Sequence, residues 1–230
     1  MFLADIGDVR ADGFEDPQPE QPERIGTEAG VVGSAARCCW WLYYFAWVRD
    51  CQQIRTERLL MRRWRDSDRM PFAALNADPE VMRYFPAPLD RAESDRLIDR
   101  FEQRFDQQGF GLWALEVLAT GNFIGFTGLN PMPDGVPGAG DQEVGWRLAR
   151  HAWHRGYATE AARAALDVGL HRLALPVIWS MTAVLNAPSQ AVMQRLGMVR
   201  HGTFDHPRIE MGHALRPHVV YRTGQPADSF

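Results

Sequence analysis

A chain of 230 residues, 46% of them hydrophobic and 23% charged, can bury one substantial core and is short for two. A net charge of −4 and a pI near 6.0 give no electrostatic case for a nucleic-acid partner, and local clusters such as Arg62-Arg63-Trp64-Arg65 read as exposed strand positions. All 25 basic residues are arginine, which excludes a P-loop with its phosphate-binding lysine and any Schiff-base or lysine-nucleophile chemistry.

Residues 1–52 read as a leader, 53–223 as the folded domain and 224–230 as a tail. Positions 1–33 are rich in Asp, Glu, Pro and Gly without hydrophobic periodicity, which predicts disorder. The aromatic run at 40–47 follows, and the apolar stretch 38–48 is too short to cross a bilayer and lacks the short basic lead of a signal peptide. Two readings stand for it. It docks to a partner or a membrane surface, or the native chain starts downstream, at Val48. Cys38, Cys39 and Cys51 fall outside the expected domain and have no Cys-x-x-Cys spacing, so neither a disulfide framework nor a metal site is indicated. A cytoplasmic setting fits.

A strand is predicted over 58–64, and Asp66-Ser67-Asp68 reads as the N-cap of a helix through 70–75. Asp90-Arg91-Ala92-Glu93 is a capping box opening a helix with Leu97, Ile98, Phe101 and Phe105 on one face, ended by Gly109. Strands over 110–118 and 123–129 flank a Gly-Asn turn and form a hairpin. A Pro/Gly loop at 131–140 precedes a strand over 143–148, then a basic turn and an alanine-rich helix. A strand over 176–184, a helix over 189–196 and two strands within 199–221 complete a mixed α/β order that is not doubly wound.

The turn carries the chemistry. In Trp153-His154-Arg155-Gly156-Tyr157-Ala158-Thr159-Glu160-Ala161 a glycine among basic residues opens a helix whose apolar positions Ala158, Ala161, Ala162, Ala165 and Leu166 recur at helical spacing. Unpaired N–H groups and the positive end of the helix dipole make such a turn an anion site, and glycine admits close backbone approach. An ordinary strand-to-helix turn is the competing reading. No GxGxxG occurs, so a dinucleotide site is unsupported, and a pyrophosphate held by backbone N–H groups points to coenzyme A.

This segment resembles the acyl-CoA loop of the GNAT acetyltransferases, in particular the RimJ/RimL-like branch. A second block agrees: Asn186-Ala187-Pro188-Ser189, then Met193-Gln194-Arg195-Leu196-Gly197-Met198. The resemblance spans about residues 54–221. Two departures stand out: tryptophan at 153 where many such loops carry Gln or Arg, and His154 in place of a commoner glycine. It implies the GNAT fold, a central, mostly antiparallel sheet flanked by helices. The strands on either side of the phosphate turn and its helix splay apart and pair with the pantetheine arm.

It further implies an acetyl-CoA-dependent N-acetyltransferase acting by direct transfer, without a metal, on a protein N-terminus or a small-molecule amine. The backbone of Trp146, Arg147 and Leu148 would polarise the thioester. His154, Arg155, Gly156, Tyr157, Ala158 and Thr159 would bind the pyrophosphate. Asn186 would bond the pantetheine amides, or form a turn. Ser189 would protonate the departing thiolate, or cap its helix, and Glu143 would take the amine's proton, or face solvent as a plain strand carboxylate. Tyr84, Phe85 and Trp113 would wall the acceptor, or belong to the core. Asp205 and His206 would position it, or serve as polar turn groups. A homodimer is common in such folds. A catalytically silent acyl-CoA-binding module is the rival of another class.

Overall fold

The computed structural model describes residues 51–224. The leader, its aromatic segment, Cys38, Cys39, the expected start at Val48 and the tail beyond residue 224 lie outside the described residues. Strands β1 (Ile54–Arg55), β2 (Leu59–Arg62), β3 (Leu112–Val117), β4 (Phe123–Pro131), β5 (Gln142–Leu148), β6 (Ile178–Ala183), β7 (Val199–Asp205) and β8 (Pro217–Arg222) form one sheet. Its order is β1-β2-β3-β4-β5-β6-β8-β7. Every pairing is antiparallel except β5 with β6. This is the mixed, mostly antiparallel GNAT architecture the sequence predicts. The first strand is shorter than expected, and β1 was not anticipated.

Helices α1 (Arg69–Ala77), α2 (Pro79–Met82) and α3 (Arg91–Gln108) lie on one face. In α3 the capping box forms as read: Asp90 accepts from the Glu93 N–H at 2.7 Å, and Glu93 accepts from the Asp90 N–H at 2.8 Å. Gly109 ends the helix at φ 76°, a left-handed conformation that glycine adopts without a Cβ penalty. Leu97, Ile98 and Phe101 pack with Trp64, Phe72, Leu112, Ala114 and Phe126 into one core. Fully burying such side chains stabilises by about 1.5–3 kcal/mol each.

The other face carries α4 (Tyr157–Asp167), continued by a π turn at Val168–Arg172. Its Ala161, Ala162 and Ala165 sit on Val144, Ile178 and Met61 in a second core. Small side chains here let the helix lie close to the sheet. β3 alternates between the two cores, with Leu112 and Ala114 in the first and Trp113 and Leu115 in the second, as the period-2 geometry of a strand requires. Cys51 is 1% exposed and belongs to the second core. The expectation that every cysteine falls outside the domain is therefore corrected.

Two features position the site. β5 and β6 are registered only at Gln142↔Ile178 and Glu143↔Trp179, although β5 runs on to Leu148 and β6 to Ala183. The parallel strands thus part toward their C-terminal ends. At Gly125 (φ 134°) on β4, an added Cβ would fall 2.2 Å from the Arg147 carbonyl oxygen, so glycine is needed where β4 presses on the strand that leads into the site.

Candidate acyl-CoA cleft

A cleft of about 1350 Å³ opens where β5 and β6 part. The phosphate turn forms one wall and α5 (Ala187–Arg195) another. Gly156 is the N-cap of α4 at φ 79° and gives the helix no side-chain acceptor. The N–H groups of the first turn are therefore left for a ligand. Gly156, Tyr157, Ala158 and Thr159 all line the cleft, as do Trp146, Arg147, Leu148, His154, Asn186 and Ser189. Arg155 does not; its carbonyl instead accepts from Arg58 at 2.9 Å.

The turn is held by contacts that sequence reasoning missed. Trp153 donates its indole N–H to the Leu148 carbonyl at 2.7 Å, fastening the loop to the end of β5. Glu160 accepts from Thr56 Oγ1 at 2.7 Å, from the Arg58 N–H at 2.9 Å and from Arg58 Nε at 2.7 Å. Burial alone would raise the Glu160 pKa, but these hydrogen bonds and the Arg58 charge outweigh it and hold the carboxyl below its usual range. His154 adopts φ 60°. A histidine there carries a strain of about 1–2 kcal/mol that the commoner glycine would not. Arg163 and Arg195 also line the cleft; the i+7 spacing of Arg163 from Gly156 was the available signal.

Asn186, not Ser189, caps α5. Its Oδ1 accepts from the Ser189 N–H at 3.2 Å and its Nδ2 donates to Thr182 Oγ1 at 2.9 Å. Both ends of that amide are thus engaged in capping the helix, while Asn186 also lines the cleft. Ser189 falls within the first turn of the helix, 8% exposed at the cleft wall, and its hydroxyl is not needed for the cap.

The remaining expectations divide. Tyr84 and Phe85 line both the cleft and a second groove of about 600 Å³ that continues past Leu185 and Leu215. Trp113 does not reach either. It is fully buried, with its indole donating to the Cys51 carbonyl at 2.8 Å, because the inward-facing register of β3 turns it into the second core. Glu143 is also fully buried and is not part of the cleft wall. Its strand pairs on both sides at that point, with Asn130 and Trp179, before the strands part.

Asp205 and His206 lie outside the cleft. Asp205 is exposed and bonded to Arg216 Nε. His206 is fully buried against His218, with ring centroids 4.9 Å apart. His206 Nδ1 accepts from the Arg208 N–H, and His218 Nδ1 faces the Arg216 carbonyl at 3.1 Å. These partners assign a neutral Nε2–H tautomer to the first ring and Nδ1–H to the second. Burial, joined in His206 by the charges of His218, Arg208 and Arg216, pushes both down to about 4.

With folded values below the unfolded value of about 6.5, the unfolded chain binds more protons between those limits, so the contribution to stability is intact above pH 6.5 and is lost as pH falls toward 4. Urea midpoints should therefore drop between pH 7 and pH 4.5, and the drop should shrink in His218→Gln. An identical pH profile for both proteins would refute the assignment.

With the cleft defined, comparison with known proteins identifies its kind. Residues 58–199 match the acetyltransferase (GNAT) domain family. The chain belongs to the GNAT acetyltransferases. This GNAT domain is 31% identical to the Bacillus subtilis protein YkkB over 64% of this chain and 84% of that one. It is 30% identical to an FsC-acetyl coenzyme A-N(2)-transacetylase of Aspergillus fumigatus, over 56% of this chain and 57% of that one. Its fold superposes on an acetyltransferase of Agrobacterium tumefaciens with a TM-score of 0.62, at 28% identity, covering 75% and 94% of the two chains. GNAT enzymes take their acyl group from acetyl-CoA. Among the described residues, no group of three or more His, Cys, Asp and Glu could hold a metal ion, and no helix is long and apolar enough to cross a membrane.

Proposed function

We propose that the domain transfers an acetyl group from acetyl-CoA directly to a primary amine, in the manner of the RimJ/RimL-like branch. The observation that carries this reading is the uncapped first turn of α4 opening, at Gly156, onto the gap between the parted β5 and β6. The pyrophosphate meets the N–H groups of Tyr157, Ala158 and Thr159, with Arg163 and Arg195 adding positive charge along the same wall. The pantetheine arm pairs with the strand edges that part beyond Glu143.

The neutral amine attacks the thioester carbon, the developing oxyanion is met by backbone donors near Trp146 to Leu148, and the C–S bond breaks as Ser189 Oγ–H protonates the leaving thiolate, the serine oxygen taking a replacement proton from solvent in the cleft. The nitrogen's surplus proton leaves at the acceptor end. Glu143 can receive it only through a relay, since its carboxyl is enclosed, whereas Glu80 is the carboxylate residue that lines that end. Among the described residues no cysteine lines the cleft, which accords with transfer that bypasses a covalent enzyme thioester.

Amine-dependent release of coenzyme A thiol, with the acetylated amine identified by mass, tests this. Release that is independent of every amine and peptide offered would overturn it.

A further inference from the structure

The cleft and the second groove share the wall made by Arg83, Tyr84 and Phe85, between α2 and α3. Beyond that wall the groove is lined by Pro86, by Leu185 from the link between β6 and α5, and by His213, Ala214 and Leu215 from the link between β7 and β8. Phe85 and Leu215 are anchored in the first core, whereas Leu185 is 58% exposed. An apolar side chain thus stands in water beside two fixed apolar groups, and a ligand that covers all three gains by removing them from water.

The backbone around the groove is already paired. The Leu185 carbonyl accepts from the Ala187 N–H at 3.0 Å, and the Phe85 N–H donates to the Met82 carbonyl at 2.8 Å. In the β7–β8 link the His213 carbonyl accepts from the Arg216 N–H at 2.9 Å, the His213 N–H donates to the Glu210 carbonyl at 3.2 Å, and the Leu215 N–H donates to His213 Nδ1 at 3.1 Å. An extended peptide draws its affinity from main-chain pairing, and these groups are spent.

Charge narrows the occupant further. Among the described residues that line the groove none is a carboxylate, while Arg83 and His213 are basic. A second ammonium group on the acceptor would meet Arg83 there without a counter-charge, which selects against it. Glu80 lines the cleft and not the groove. The acidic group therefore stands at the amine end of the proposed reaction, and the apolar walls stand beyond it.

We infer that the acceptor is a small monoamine whose apolar substituent, a ring or a short alkyl chain, lies in the groove of about 600 Å³ against Phe85, Leu185 and Leu215. This deepens the acetyltransferase reading and rests on it. Leu185 is the specificity-determining residue, because it is the exposed apolar group that the substituent covers.

The test is amine-dependent thiol release by the full chain at saturating acetyl-CoA, along the straight-chain amines from ethylamine to hexylamine. These amines share nearly one basicity, so the trend reads burial alone. The kcat/KM should rise by about threefold per methylene until the groove is filled, and hexylamine should exceed hexamethylenediamine by about tenfold or more. In Leu185→Ser the ratio of hexylamine to ethylamine should fall severalfold. Leu185→Asp should move the preference toward the diamine, because it places a carboxylate in the groove.

A flat series, a diamine that equals or exceeds hexylamine, a series unchanged in Leu185→Ser, a preference unmoved in Leu185→Asp, or thiol release with alanyl- and leucyl-glycyl-glycine but with no alkylamine would each overturn the inference. If no acceptor releases thiol, calorimetric binding of the same amines to the coenzyme A complex reads the same ratios. The groove is then decided separately from acetyl transfer, on which the missing thiol release bears.

Discussion

Ser189→Ala should lower kcat by roughly a hundredfold or more, the range expected for loss of a general acid, while the Kd for acetyl-CoA changes by no more than about threefold. The asymmetry follows from where the hydroxyl sits. Asn186 supplies the oxygen that caps α5, through its bond from the Ser189 backbone N–H, so removing the Ser189 side chain leaves the helix start intact. On the proposed mechanism what is lost is a proton donor at the cleft wall, and that loss is felt only when the thiolate forms. Asn186→Ala should behave differently. It removes the cap and the bond to Thr182, costing about 1 kcal/mol for the cap alone, and shifts Ser189 with it. Equal losses of turnover and affinity in Ser189→Ala, by stopped thiol-release kinetics and equilibrium titration, would assign the hydroxyl to binding instead.

Asp68→Ala should destabilise the domain by about 3–5 kcal/mol, the usual cost of stranding one member of a buried ion pair. At about 2–4 °C per kcal/mol for a domain of this size, the melting temperature should fall by about 10 °C. Asp68 is 2% exposed and Arg62 is 5% exposed. Their fork closes at 2.7 and 2.9 Å, and Asp68 Oδ2 also accepts from the Arg65 N–H at 2.8 Å. The carboxylate therefore ties β2 to the turn that starts α1. Glu116 remains beside Arg62 at 2.8 Å, so part of the charge stays compensated. The control is Asp99→Ala, whose partner Arg69 is bonded at 2.7 Å but whose own side chain is 62% exposed. Solvent screening limits that pair to about 1 kcal/mol or less. Comparable melting temperatures for the two variants would show that burial does not govern the Arg62–Asp68 pair.

The parts of the site legible in the sequence are those whose chemistry is local. The Gly156 turn reads directly as an uncapped helix start on the cleft, because a helix start is written in a few consecutive residues. The Asp90–Glu93 box and Gly109 read for the same reason. Ser189 was legible as a cleft residue, but its relation to Asn186 was not, since both side chains are good caps and only the backbone at Asn186 decides between them. Glu160 could not be read as a tie, because its partners Thr56 and Arg58 are brought to it by the sheet from about a hundred residues away in the chain.

Glu143 and Trp113 show the limit from the other side. Strand alternation says that neighbouring residues face opposite ways, but not which face ends at an opening and which is sealed by the next layer. Glu143 shares a strand face with Arg147, four residues on; yet Glu143 lies where β5 and β6 are still paired and is not part of the cleft wall, while Arg147 lies where the strands have parted.

The most direct measurement is the melting temperature of the full chain as acetyl-CoA is added. A ligand that binds only the folded domain must stabilise it, by about 2.7 kcal/mol at a hundred times its Kd, so the melting temperature should climb by several degrees and keep rising with concentration. Free adenosine, lacking the pyrophosphate that the proposed reading assigns to the α4 N-terminus, should raise it far less. No rise at millimolar acetyl-CoA, or an equal rise with adenosine, would contradict a cofactor cleft built on the Gly156 turn.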